Sequence, residues 1–255
     1  MKERVIYTSI VGGFDALMQP EVTDPRYDYV CFVRKGEAGA GRAGLWQLRE
    51  IPVDIPDPRR LSRYPKMHPS ELLPGYRWSL WMDGNLQIVS ESFYRRVEEI
   101  IESGVEMAAP VHPKRDCIYD EALAVVSAGK EEYAPAARTI KFLRSKGYPR
   151  HAGLCENALL LRDGVSEAVR RLDAMWWECL SSLSGRDQLS LMYCSRECGV
   201  RIAPLLPEGR SIRDWDALAY VYHDRKPAGG WLAGKWRGLR KALAKKRLGA
   251  LLASF

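Results

Sequence analysis

Residues 78 to 89 read Trp78-Ser79-Leu80-Trp81-Met82-Asp83-Gly84-Asn85-Leu86-Gln87-Ile88-Val89, an apolar run that breaks at an acid, a glycine and an amide and then resumes. An ionised carboxylate is costly to bury unpaired, so an acid ending a core strand has to meet water, a cation or a hydrogen-bond donor. Gly84 removes the Cβ where the backbone turns or where a ligand comes close. Asp83 and Asn85 set two oxygen-bearing side chains two residues apart, and hard cations such as magnesium or manganese prefer oxygen. The same letters also spell a hairpin, because Asp-Gly or Gly-Asn between apolar runs is a turn signal. The segment alone leaves both readings open.

Working outward, RVIYTSI (4 to 10) is β-branched and aromatic and runs into Gly12-Gly13, which predicts a buried strand feeding a glycine turn. Residues 27 to 33, YDYVCFV, predict a second strand and 46 to 53 a third, followed by a proline-rich loop at Pro56, Pro58 and Pro65. Residues 92 to 103 place Phe93, Val97, Ile100 and Ile101 on one helical face, and 105 to 111 predict another strand. Helical spacing holds from Tyr119 to Lys146, where Gly147 and Pro149 stop it. A short strand over 157 to 162 and helices over 165 to 182 and 187 to 198 complete the pattern. Strands alternating with helices indicate an α/β domain with a mixed, mostly parallel sheet. In such sheets ligands sit beyond the carboxyl ends of the strands, where Asp83 would stand.

At 255 residues and 46% hydrophobic, the chain can bury a substantial core, which excludes a disordered protein. Its net charge of +7 suggests nucleic acid until it is located. Residues 231 to 255 carry Lys235, Arg237, Arg240, Lys241, Lys245, Lys246 and Arg247 and no acid, so the other 230 residues are formally neutral. The expected organisation is therefore a domain over 1–230 and a basic tail over 231–255, with no nucleic-acid partner for the domain. Six cysteines without a Cys-x-x-Cys pair, no leader ahead of the first strand and no apolar run of roughly 18 residues predict a cytoplasmic chain with reduced thiols.

Three further clusters concentrate polar groups among apolar neighbours. Arg63 and Lys66 are two cations three residues apart, suited to a phosphate or an acidic sugar, or simply a solvated loop. Asp187 and Gln188 stand at a helix start, where the acid could cap or could meet a bound polyol. His223 and Lys226 follow the last domain helix, with histidine a common metal ligand and lysine a partner for phosphate.

Taken in order, YTSIVGGFD, YVCFV, SRYPKMHP, WSLWMDGN, HPKRDCIYDEA, GLCENALLLR, WWECL, SGRDQLS and HDRKP resemble the glycosyltransferase-like family found in bacteria and in plant mucilage- or pectin-related proteins. The resemblance covers about residues 4 to 227 and extends to glycosyltransferase family 8. It implies a single GT-A-like, Rossmann-like nucleotide-sugar-binding domain and transfer of a sugar from a nucleotide-diphosphate donor to a glycan or lipid-linked acceptor. Synthesis of cell-surface polysaccharide or lipopolysaccharide would be the setting.

On that resemblance Asp83 matches the first acid of the D-x-D metal motif, and Asn85 stands in place of the second. An amide offers a neutral oxygen, which weakens the implied manganese or magnesium site. His223 would be the third ligand, and Lys226 with Pro227 matches the K-P of the phosphate motif, with the spacing compressed and a glycine missing. Tyr7, Thr8, Gly12 and Gly13 would meet the nucleotide, and Arg63 and Lys66 the diphosphate or ribose. Asp187 and Gln188 match the D-Q segment facing the donor sugar. Asp187 or Glu156 would serve as base if the product inverts, and Gln188 or Asp187 would lie under the anomeric carbon if it is retained. His112 to Asp116 would line the acceptor or clamp a loop, and of Trp176 and Trp177 one would be core and the other would stack on sugar.

In the tail, Leu232, Trp236, Leu239 and Leu243 fall on one helical stripe flanked by Lys235, Lys246 and Arg247. Such a helix suits the surface of an anionic membrane on its inner face, or docks back on the domain. Two other readings remain: a nucleotide-sugar-binding protein without catalysis, which Asn85 would suit, and a nucleic-acid-binding protein using the basic tail.

Overall fold

The computed structural model describes residues 3–13, 16–39, 41–222 and 231–254, with the side chains of all of these except 231–237. Strands β1 (Arg4–Ile10) and β2 (Tyr27–Val33) pair in parallel along their whole length, from Arg4 opposite Tyr27 to Ile10 opposite Val33. Next come β3 (Arg42–Ala43), β4 (Trp46–Glu50), helices α1 (Pro58–Met67) and α2 (Pro69–Leu72), β5 (Trp78–Met82) and β6 (Leu86–Ile88). Helix α3 (Ser92–Glu102) leads to β7 (Met107–Ala109), α4 (Ile118–Ala128), α5 (Tyr133–Ser145) and β8 (Leu159–Asp163). The remainder is α6 (Glu167–Ser182), a 3-10 turn (Asp187–Leu189), α7 (Leu191–Cys198), β9 (Ile202–Pro204), β10 (Leu218–Tyr220) and α8 (Trp231–Ala253).

Eight strands form one sheet in the order β3-β4-β2-β1-β5-β8-β7-β9. β3 runs against β4 and β8 runs against both its neighbours, while the other pairs are parallel, so the sheet is mixed and mostly parallel as expected. The central strands β5 and β8 are buried at every residue, because helices or loops cover both faces and apolar side chains are accepted on either. Alternation then splits the core: Val5, Tyr7 and Trp81 join helices α4 to α6 on one face, and Ile6, Leu80 and Met82 join α3 on the other.

The turn after Met82 is not a hairpin. The Leu86 amide closes a tight turn on the Asp83 carbonyl (3.0 Å), and β6 then leaves the main sheet to pair antiparallel with β10. Asp83 therefore ends a central strand instead of linking two partners.

Two segments depart from the sequence expectation. The proline-rich stretch is helical: Asp57 caps α1 by accepting from the Arg59 amide (3.0 Å), and Pro58 takes the first position, where its missing N–H costs nothing. Pro65 lies inside that helix, which ends two residues later, and Leu61, Tyr64 and Met67 bury its inner face. The helical run from Tyr119 to Lys146 is two helices, because Gly129 adopts φ 70° and terminates α4.

Helix α8 packs along α4 and α5. Leu248 and Leu252 are buried in the core, Arg247 covers the Tyr133 ring at 4.3 Å, and the Lys241 ammonium donates to the Ala128 carbonyl (3.1 Å). Leu239 and Leu243, the described members of the predicted stripe, are 52% and 53% exposed on the opposite side. No helix among the described residues is long and apolar enough to cross a membrane.

Candidate functional site

Register fixes which residues share an edge. Ile10 lies opposite Val33, Val33 opposite Glu50, and Tyr7 opposite Trp81, so the Gly12-Gly13 turn and the Asp83-Gly84-Asn85 turn leave the sheet at the same carboxyl edge. The antiparallel pairing of β5 with β8 runs one step further, the Asp83 amide donating to the Ala158 carbonyl (2.8 Å).

Helix α1 supplies the charge. The Lys66 ammonium donates to Asp187 Oδ2 (2.6 Å) and lies 3.5 Å from Asp83 Oδ1. Arg63, one turn earlier, reaches Asp187 Oδ2 at 3.5 Å. The Trp81 indole donates to Asp83 Oδ1 (2.7 Å), its ring 5.3 Å from the Lys66 ammonium. Burial alone would raise the Asp187 carboxyl, but the adjacent Lys66 and Arg63 charges outweigh it and hold the group well below the usual carboxylate range. Asp187 thus stays ionised and binds protons poorly, which does not suit the base role expected of it. Instead it fixes Lys66.

Beneath this cluster lies a closed layer. Tyr7 is fully buried between Phe32 and Trp81, accepts from Arg162 Nη1 (2.9 Å) and touches the Lys66 carbonyl at 3.5 Å. It braces α1 and does not reach a nucleotide. Arg162 Nε stands 3.1 Å from Asp173 Oδ1, both wholly buried, and burial raises the Asp173 carboxyl to about 7 against the pull of Arg162. Trp176 is core and donates to the Asp187 carbonyl (2.9 Å), while Trp177 packs against Tyr64 and His68. Lys66 is itself only 1% exposed, so it contacts the protein's carboxylates and not a ligand, contrary to the solvated-loop and phosphate readings alike.

Toward the cleft the groups are less satisfied. Asp83's side chain is 31% exposed. Glu156 is buried with Oε1 on the Arg213 guanidinium (2.5 Å), and its Oε2 has no partner. Neither amide atom of the buried Asn157 has a partner, nor do the hydroxyls of Thr8 and Ser190. Buried polar atoms are normally hydrogen-bonded, and those of Glu156 and Asn157 lie on the segment that pairs with Asp83, where a ligand or ordered water would complete them. Gln188 pins its side-chain amide on the Cys155 carbonyl (2.9 Å). Gly12 and Gly13 adopt φ 76° and 64°, are exposed, and leave open space where a Gly13 Cβ would stand. Sequence reasoning missed Asn157, Arg213 and Trp81; only Asn157, an amide next to Glu156 ahead of an apolar strand, carried a local signal.

His112 closes a loop. Its Nδ1 accepts from the Lys114 and Arg115 amides (3.2 and 2.9 Å), and burial with the Arg115 charge pushes its pKa down. Arg115 also binds Glu121 (2.5 Å), which makes this segment a clamp.

The expected divalent site was Asp83, Asn85 and His223. His223 and Lys226 lie outside the described residues. The Asn85 amide N–H donates to the Val221 carbonyl (3.2 Å), which leaves its Oδ1 as the ligating atom, while Lys66 already stands against Asp83. Two carboxylates facing two cations form an electroneutral cluster, and one acid with one amide is a weak oxygen set for a hard cation. Among the described residues, Asp83 and Asn85 supply part of such a site and not a complete ligand set.

A mostly parallel α/β sheet with an ion-paired, partly orphaned cleft at its carboxyl edge defines the class: a ligand-binding α/β domain of enzyme type. Residues 2–203 match the model of the TOD1/MUCI70 glycosyltransferase-like domain, and the chain belongs to that family. It is 23% identical over 209 residues to a protein of Arabidopsis thaliana described as probable hexosyltransferase MUCI70, covering 73% of this chain and 36% of that one. The chain thus spans about a third of that curated relative's length. Among solved structures, the bifunctional glycosyltransferase WbbM matches with a TM-score of 0.45 at 12% identity, over 80% of this chain and 39% of that chain. The galactosyltransferase LgtC, solved with donor and acceptor sugar analogues, matches with a TM-score of 0.44 at 10% identity, over 96% of this chain and 95% of that one.

Proposed function

We propose that this chain transfers a hexose from a nucleotide-diphosphate sugar to a glycan or lipid-linked acceptor of cell-surface polysaccharide synthesis. The observation that carries the reading is the Asp83, Lys66, Asp187 and Arg63 cluster beside the 155–158 segment, in which Glu156 keeps one carboxylate oxygen and Asn157 its whole side-chain amide without a hydrogen-bond partner. Asp83, fixed by Trp81 and Lys66, accepts hydrogen bonds from sugar or ribose hydroxyls. Asn157 offers both a donor and an acceptor to the sugar. As the anomeric C–O bond breaks, negative charge grows on the departing diphosphate, and Arg63 stands on the side of the cleft that stabilises it. The acceptor oxygen forms the new bond to the anomeric carbon, and its proton passes to Glu156 Oε2, the carboxylate oxygen left without a partner.

A thermal-shift screen of uridine, guanosine and cytidine diphosphate sugars, with and without manganese, tests the site. At least one donor raises the melting temperature of the wild type and none raises that of Asp83→Asn; no shift with any donor overturns the assignment. Donor hydrolysis without acceptor separates a transferase from a protein that only binds the donor.

For the acceptor side, the reading places α8 on the cytoplasmic surface of an anionic membrane. Exposed Leu239 and Leu243 lie among Arg240, Lys245 and Lys246, all exposed, and each cation near such a surface contributes about 1 kcal/mol. Co-sedimentation with phosphatidylglycerol vesicles, lost on Leu239→Glu with Leu243→Glu and absent with phosphatidylcholine alone, is the expected result. Equal binding by the double variant refutes it.

A further inference from the structure

Away from the cleft, three side chains of different chemistry meet at the start of α4. Cys117, the N-cap residue, is buried; Asp120 lies in the first turn; His151 arrives from the loop between α5 and β8. One ligand atom from each lies within 4.8 Å of the other two. His151 is the only non-glycine residue with positive φ (53°) among the described residues, a conformation a side chain adopts only when its surroundings hold it there. Its Nδ1 bonds Asp116 Oδ1 at 2.8 Å, which leaves Nε2 as the ring nitrogen for a ligand. A carboxylate on the far nitrogen is the arrangement that orients metal-binding histidines. Arg150 takes Asp120 Oδ1 (2.9 Å) and leaves that carboxylate its other oxygen.

We infer that Cys117, Asp120 and His151 form a zinc-class metal site, with Asp116 orienting His151. A thiolate with an imidazole selects a borderline-soft ion over magnesium or calcium, and three protein ligands leave a fourth, tetrahedral position for water. Ligand atoms on one tetrahedral zinc stand about 3.4–3.7 Å apart at ordinary bond lengths. With every pair within 4.8 Å, a closure of about 1 Å at most reaches that spacing.

The site has a structural consequence. The 148–153 loop is already tied to α4, by the Tyr119 hydroxyl on the Tyr148 carbonyl (2.7 Å) and the Gly153 amide on the Asp116 carbonyl (2.8 Å). The next residues, 154 to 157, carry Glu156 and Asn157 into the cleft, so the metal clamps the segment that positions them. The inference stands independently of the transfer reading.

The full-length chain, dialysed against chelator and titrated with cobalt(II) alone, provides the test. The expected result is one equivalent bound, with a thiolate-to-cobalt charge-transfer band and the visible bands of tetrahedral cobalt. Cys117→Ser abolishes the charge-transfer band, and Asp116→Asn weakens binding by about 10- to 100-fold. His151→Ala, an exposed position that leaves folding intact, weakens it by at least as much. Asp83→Asn leaves the titration unchanged. No charge-transfer band, or full affinity in His151→Ala, overturns the site; should Cys117→Ser fail to fold, His151→Ala decides alone.

Discussion

Replacing Lys66 by Met keeps the length of the apolar stem and removes the ammonium between Asp83 and Asp187. The carboxylate of Asp187, buried and bonded to Lys66 at 2.6 Å, is left with the partly exposed Arg63 at 3.5 Å. Breaking a buried pair by deleting one partner costs about 3–5 kcal/mol, because the surviving charge stays in a poor solvent. Arg63 offsets part of this, so a loss near the lower figure, about 3 kcal/mol, is expected from urea unfolding followed by far-ultraviolet circular dichroism. Against a domain stability of about 5–15 kcal/mol the variant remains folded in most of that range. Adding Asp187→Leu removes the orphaned charge, and the double variant recovers most of the loss, since an apolar pair can replace a buried ion pair at little cost. A loss under about 1 kcal/mol for Lys66→Met, or a double variant whose loss equals the sum of the single ones, refutes the ion-pair account.

The Asp187 carboxyl is held down in the folded state, so the stability it lends is present above its unfolded value of 3.8 and disappears as pH falls below it; Asp187→Asn flattens the acid limb of stability against pH. Asp173 has the opposite sign. Raised to about 7, it keeps a proton that the unfolded chain has released, so between 3.8 and about 7 stability falls as pH rises, and Asp173→Asn removes that slope. Leu248→Ala costs about 2–5 kcal/mol in the same unfolding assay, because it opens a cavity under α8. Leu239→Ala stays within about 0.5 kcal/mol. Glu156→Gln retains the donor-induced thermal shift while lowering transfer by about 100-fold or more, the contribution of a general base; equal turnover removes Glu156 from that role.

The sheet was legible because its central strands are apolar on both faces. RVIYTSI and YDYVCFV are strands at the residues expected, and the break at Asp83 marks the end of β5. Helix α1 was hidden by its prolines, although Asp57-Pro58 is a cap with a first-turn proline and Leu61, Tyr64 and Met67 recur at threes. The same misreading concealed Lys66. An isolated lysine is expected in solvent, and only partners 17 and 121 residues away, Asp83 and Asp187, make its burial affordable. Tyr7 was misplaced for a related reason: the alternation of β1 fixes which side chains share a face but not which face opens to the cleft. In α8 the described members of the stripe chosen by spacing, Leu239 and Leu243, face solvent, and the rotated set, Leu248 with Leu252, meets the core. Two apolar faces on one helix cannot be ranked until the surface beneath them is known.

In the proposed transferase Asp83 is the fixed carboxylate of the donor site. Calorimetric titration of the wild type and of Asp83→Asn with the donor that gives the largest thermal shift tests it most directly. The expected result is saturable one-to-one binding by the wild type and a loss of about tenfold or more in the variant, the 1.5–3 kcal/mol of a hydrogen bond to a charged group. Unfolding must remain cooperative in both. Equal affinity in a folded Asp83→Asn protein would contradict the placement of the site.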